Sequence, residues 1–397
     1  MISSVRQAYN NSFTKEKYQE FLADLDAAHP GAIEFRVAET PLFISRAFSQ
    51  KMLSACESII DLIIDPEFVR QTERSIPPAE RVPGSLGRCQ MIAFDFGICQ
   101  NSEGELEPQL IEMQGFPTLY GFQPLLAEYY KKHFSIPANF SPYPGNLDAE
   151  QYAALLRNII LGNHQPEEVI LLEIHPHQQK TRIDFYCTSA MLGIPVVCIT
   201  ELVRQGNKLF YSRNGELKPV KRIYNRVIFD ELNAHPEIKK QSVDITAELD
   251  VEWIPHPDWF YRISKYTLPF LHHPYVPRTF FLNELKQVPD DLENYVLKPL
   301  FSFAGQGVII DVTAEDITGI PDPENWILQQ KVQYAAVVET PDTPAKAEIR
   351  IMYLWDETKK RPQPAINLAR LSKGKMIGVR YNKDMDWVGG SICFFAP

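Results

Sequence analysis

The stretch YVLKPLFSFAGQGVIIDV, residues 295–312, sets one lysine in an apolar run, follows it with a turn of small residues and resumes with a β-branched run. Valine and isoleucine favour extended chain and small residues favour a tight turn, so the segment predicts a hairpin. Its residue order excludes two phosphate-binding designs. A P-loop carries its lysine after its glycines, whereas Lys298 precedes Gly305 and Gly307. A dinucleotide fingerprint needs a third glycine opening a helix, but position 310 is Ile310 and VIIDV is a strand sequence. Two readings remain. In one, the turn closes over phosphates while the lysine supplies a point charge; in the other, a surface hairpin lets its lysine snorkel from a sheet edge.

A second stretch bears on the choice. CQMIAFDFGIC and PQLIEMQGF read as antiparallel strands joined by QNSEGELE, with Glu105 and Glu107 in the turn. Glu112 and Gln114 stand two apart, so both project from one face of a strand, and Asp95 on the partner strand can join them. Two carboxylates and an amide oxygen are the hard donors that magnesium takes, with waters and nucleotide phosphates completing its shell. A solvated acidic strand face is the competing reading.

The rest of the chain sets the frame. Helical periodicity marks residues 14–28 and 45–65, and SPYPGN suggests a linker near residue 145. From 150 to 215 the order helix, EVILLEI, RIDFYCTSAMLG, IPVVCIT predicts a small parallel α/β layer. After residue 290 the chain is mostly strand-like. Fifty acidic against 40 basic residues, a formal net charge of −10, argue against a nucleic-acid or anionic-membrane partner. Six scattered cysteines without C-x-x-C spacing, and the lack of any run near ~18 apolar residues, lead to the expectation of a soluble cytoplasmic protein with reduced thiols. His175 and His177, like the adjacent His272 and His273, lack the i, i+4 spacing of a helical zinc site.

Taken in order, these motifs resemble the ATP-grasp superfamily, in its circularly permuted branch of glutathionylspermidine synthase-like and eukaryotic glutathione synthetase-like ligases. FDF with Asp95 and IEMQGFPTLY resemble the branch's early aspartate and Glu-x-Asn strands, with Gln114 where asparagine is usual. ISKYTLPFLHHPYVPRTFF resembles the segment of the first nucleotide lysine, here Lys265, and YVLKPLFSFAGQGV the strand and lid of the second, Lys298, with Ser302, Gly305 and Gly307 in the lid. WILQQKVQY is similar to the hinge whose backbone takes adenine, which implies Gln330 and Lys331 as residues near the nucleotide. The closing strands are similar to those that supply phosphate-facing arginines, foremost Arg380, then Arg350 and Arg370, and Arg226 matches the second arginine of a YRR-like element.

The resemblance implies an α+β, circularly permuted ATP-grasp fold with an inserted α/β domain. Its expected divisions are residues 1–148, carrying the metal-binding strands, 149–255, the insert, and 256–397, the nucleotide-binding part with its lid at 301–307. It also implies ATP and Mg2+ as cofactors, with Asp95, Glu112 and Gln114 on the metal. Small-molecule carboxylate and amine substrates would be joined through an acylphosphate, with Arg380 and Arg226 catalytic. Two departures stand out: the lid reads FSFAGQG, with Phe303 and Ala304 where a charged Arg-Glu pair is usual, and Gln114 replaces asparagine. A nucleotide-binding protein without ligase activity is the alternative.

Overall fold

In a computed structural model, residues 1–84, 87–301, 307–374, 377, 382 and 384–397 are described. The two expected N-terminal helices form at Lys15–Ala28 and Arg46–Ile63. Thr14 and Ser45 accept backbone N–H groups that each first turn leaves without a partner. The second helix buries Phe48, Met52, Cys56, Ile59 and Ile63, a stripe at three- and four-residue spacing.

That stripe packs on a five-stranded antiparallel sheet in the order Gly389–Ser391, Gln363–Ser372, Lys346–Leu354, Met91–Gln100, Leu106–Gln114. The expected early hairpin therefore pairs with strands from the end of the chain. Its turn is shorter than the sequence suggests: Glu105 lies in it, but Glu107 is already on the strand, paired with Cys99. Strand period two explains how one sheet serves two purposes. Ile92, Phe94, Phe96 and Ile98 enter the core with the helix stripe, while Asp95 and Gly97 face the other way. Each aromatic buried on the core face is worth about 1.5–3 kcal/mol, which anchors the strand that carries Asp95.

The predicted parallel layer is present as Glu252–Ile254, Arg222–Asn225, Val169–Glu173 and Val196–Cys198, with all three pairings parallel. Val169–Glu173 is buried at every residue, as expected of a strand covered on both faces. A smaller antiparallel sheet, Thr279–Phe281, Trp326–Gln330, Tyr295–Pro299, carries Lys298. Its partner strand is Trp326–Gln330; VIIDV contributes only a bridge from Ile309 to Leu297. Several sheets of both kinds make this a mixed α/β architecture consistent with an α+β fold. Among the described residues no helix is long and apolar enough to cross a membrane.

Candidate functional site

The site is the charged face of the five-stranded sheet. Directly opposed residues share a face, so the registers Glu112–Asp95–Arg350 and Gly97–Glu348–Arg370 line up five charged groups and a glycine, with Gln114 two residues beyond Glu112. Asp95 is 1% exposed and holds Arg350 in a bidentate pair, Nε to Oδ1 and Nη2 to Oδ2, both 2.6 Å. Arg370 reaches the same carboxylate, Nη2 to Oδ2 at 3.0 Å, and also donates to Glu348. The Tyr334 hydroxyl donates to the other oxygen of Glu348 at 2.9 Å. This ring can lie on the sheet because position 97 is glycine: a Cβ there would come within 2.9 Å of it.

These two acids and two arginines form a network in which each charge has a partner, with Asp95, Glu348 and Arg350 buried and Arg370 at its half-exposed edge. Burial disfavours the charged form of both arginines, but Asp95 for Arg350, and Glu348 followed by Asp95 for Arg370, hold their pKa values above the ordinary arginine range. Burial raises the Glu348 carboxyl despite Arg370 beside it.

The lysines differ. Lys298 donates to Gln329 Oε1 at 2.5 Å and lies 3.4 Å from the Ile111 carbonyl, so its ammonium sits over the hairpin edge. Desolvation pulls its pKa down to about 8, with the attraction of Glu112 and the repulsion of Lys265 as smaller effects. Lys265, 8% exposed on the 3-10 helix Lys265–Phe270, is lowered for the same first reason, with Glu112 and Asp230 opposing the shift. Gln329 is 1% exposed, and its Nε2 has no acceptor among the described residues; the same holds for Arg370 Nε. Lys298 thus meets neutral acceptors, and Gln329 Nε2 none among the described residues.

On the acidic side, Gln114 Nε2 donates to Glu112 Oε1 at 2.7 Å, which leaves Gln114 Oε1 and Glu112 Oε2 as oxygen donors. These two fit magnesium chemically. Asp95 does not fit in this arrangement, because guanidinium groups take both its oxygens. Among the described residues no three acidic, histidine or cysteine side chains form a group that could hold a metal ion.

The other expected residues fall around this face. Gln330 and Lys331 stand farther along it, in an open pocket of about 520 Å³ with Cys99, Glu107 and Gln109. Gln330 is exposed, and Lys331 donates to the Glu293 carbonyl at 2.8 Å. Adjacent strand residues point to opposite faces, which is why Gln329 and not Gln330 meets Lys298. At the opposite end a narrow cavity of about 60 Å³ lies among Glu112, Gln114, Lys265 and Phe301. Arg226 sits past the end of the parallel strand Arg222–Asn225, donates to the Pro117 carbonyl at 2.7 Å and covers the Phe116 ring at 4.8 Å. It therefore ties the parallel layer to the segment just after Gln114. Gly307 has φ +73°, a conformation that favours glycine. Ser302, Gly305 and Arg380 lie outside the described residues.

Glu348, Gln329 and Glu173 were not singled out in the sequence. Burial raises the Glu173 carboxyl to about 8, with Arg226 pulling the other way. The sequence signal for Glu348 is its spacing: in EIR, strand period two puts it beside Arg350. Gln329 is marked only by the pleat of its strand.

The fold class is thus a mixed α/β protein with a charged sheet face roofed by a small lysine-bearing sheet. Neither a protein-family model nor a curated protein matches the chain. The solved structure of a glutathione synthetase-like effector from Globodera pallida, in its apo form, is similar over 97% of this chain and 98% of its own, with a TM-score of 0.60 and 12% identity. This likeness supports a glutathione synthetase-like fold for the chain.

Proposed function

We propose that this protein is an ATP- and Mg2+-dependent ligase of the ATP-grasp type that joins a carboxylate to an amine through an acylphosphate, releasing ADP and phosphate. The observation that carries the reading is at the sheet face: the Lys298 ammonium donates to the neutral Gln329 Oε1 and lies by the Ile111 carbonyl, the Gln329 Nε2 has no acceptor among the described residues, and Lys265 stands close enough to repel Lys298. A polyphosphate supplies the missing negative charge and acceptor oxygens.

In this reading Lys265 and Lys298 hold phosphates, and the pocket beside Gln330 and Lys331 has room for a nucleoside-sized group. Glu112 and Gln114 would hold magnesium, which supplies charge neutralisation between the phosphates when bound. Asp95 and Glu348 fix Arg350 and Arg370 in place. A fixed guanidinium pair orients the reacting carboxylate and offsets charge as its oxygen attacks the terminal phosphorus. An amine then attacks the acyl carbon and phosphate departs. Arg380, in the family's phosphate-facing position, would neutralise the phosphoryl group, and Ser302, Gly305 and Gly307 would belong to a water-excluding lid. Arg226 would set the Phe116–Pro117 edge of the substrate region.

The commitment of both Asp95 oxygens to arginines favours a second reading, nucleotide binding without ligation. Thermal unfolding with ATP and Mg2+, followed by phosphate release on adding carboxylates and amines, separates the two. A ligand at 100 times its Kd adds about 2.7 kcal/mol. Both readings predict that stabilisation; only the first predicts phosphate release that requires both substrates. No stabilisation at millimolar ATP contradicts both.

A further inference from the structure

Beside the charged face, against the strands Gln363–Ser372 and Gly389–Ser391, lies a cavity of about 310 Å³. Its wall is mostly apolar, with Phe35, Phe122, Leu126 and Leu368 on it, and Arg370 forms the side shared with the charged network. Leu368 and Arg370 lie on the same face of their strand as the Asp95 network, so the cavity opens beside the site and not behind the sheet. A ligand pocket of a few hundred Å³ with an apolar lining and few polar groups is of the size that takes a small molecule.

The second observation is Gln123, which lines the cavity at 2% exposure while its Oε1 accepts no hydrogen bond among the described residues. A buried carbonyl oxygen without a donor costs about as much as a lost hydrogen bond. The terminal torsion of glutamine is broad, so the oxygen can follow a donor that enters the cavity. Arg370 brings a further unsatisfied donor, its Nε. Lys180, exposed at the cavity rim, makes no ion pair among the described residues.

We infer that this cavity binds the carboxylate substrate, and that this substrate is an α-amino acid with a large apolar side chain. Its side chain fills the space between Phe35, Phe122 and Leu126, its ammonium group donates to Gln123 Oε1, and its carboxylate turns to Arg370 and the phosphate site. The inference rests on the ligase reading for the carboxylate's fate but not for its binding. It also specifies why the wall is apolar: a polar amino acid would leave its own side chain unpaired there.

The test is calorimetric titration of the full chain with L-phenylalanine, 3-phenylpropionate, phenethylamine and L-glutamate, with and without ATP and Mg2+. L-Phenylalanine is expected to bind, the two analogues lacking one charged group to bind about tenfold more weakly, and L-glutamate not to bind at millimolar concentration. Gln123→Leu is expected to weaken L-phenylalanine about tenfold, leave 3-phenylpropionate unchanged and leave the melting temperature equal or higher, because the lost oxygen has no internal partner. Equal affinity for L-glutamate, no L-phenylalanine binding while ATP still stabilises the protein, or an equal loss for both ligands in Gln123→Leu overturns the assignment. L-Phenylalanine binding without any ATP response supports the cavity and contradicts the nucleotide reading alone.

Discussion

The two cationic pairs of the site differ in what surrounds them. Arg350 and Arg370 are matched from within the fold by Asp95 and Glu348, and their pKa values are raised. Lys298 and Lys265 have Glu112 nearby, yet burial still outweighs it and both are lowered. A cation matched internally is held in one place, from which it can orient a substrate; Lys298, whose acceptors are a neutral amide and a carbonyl, gains a counter-charge from a ligand. The difference also fits the side chains: a planar guanidinium suits a fixed bidentate pair, while an ammonium is a point charge that shifts with its surroundings.

The sharpest way to break the contrast is to remove an internal anion. Asp95→Ala leaves Arg350, whose side chain is 8% exposed, without its carboxylate, and is expected to cost about 3–5 kcal/mol in denaturant unfolding. A loss under 1 kcal/mol would show that the arginines, too, are under-compensated. Next in size, Lys298→Met should abolish the ATP-dependent stabilisation of about 2.7 kcal/mol at 100 Kd, while apoprotein stability holds or rises, because a poorly solvated charge is gone. A large stability loss without ATP would place Lys298 with the structural cations.

The pH dependence follows from the same shift. Lys298 has a folded pKa of about 8, below its ordinary 10.5. Between these values the unfolded chain binds more protons, so this residue makes apoprotein stability rise from about pH 8 toward 10. The rise is expected to disappear in Lys298→Met when the two melting curves are subtracted. Glu173 has the opposite sign: with its carboxyl raised to about 8 from 4.5, the folded protein binds more protons, and stability falls as pH rises between these values. Glu173→Gln should flatten that slope and leave the ATP response intact. The smallest effect concerns the metal donors: Glu112→Gln is expected to raise the Mg2+ concentration needed for ATP stabilisation about tenfold with little change in folding.

Much of this frame was legible in the sequence because it is local. The helical periodicity of 14–28 and 45–65, the alternation of FDF and IEMQ, and the helix–strand order from 150 to 215 all obey short-range periods, and each forms where expected. The hairpin at 295–312 is half right: Tyr295–Pro299 is a strand, but its partner comes from Trp326–Gln330, since VIIDV offers only the Ile309 bridge. Pairing across 30 residues leaves no local mark. The site was legible in its residue types and not in its partnerships. Asp95 reads as a magnesium donor until the strand Lys346–Leu354 brings Arg350 against it from 255 positions away. A one-residue shift of the pleat likewise puts Gln329, and not Gln330, on Lys298.

The most direct test of the central claim counts protons. If Lys298 is an under-compensated ammonium that a polyphosphate completes, ATP binding raises its pKa and draws in protons where the free protein has begun to lose them. Titration calorimetry with ATP and Mg2+ at pH 8.5, in two buffers of different ionisation enthalpy, is predicted to show uptake of a sizeable fraction of a proton in the wild type, after correction for ATP's own ionisation. Binding with no uptake, or no binding at millimolar ATP, would contradict the account.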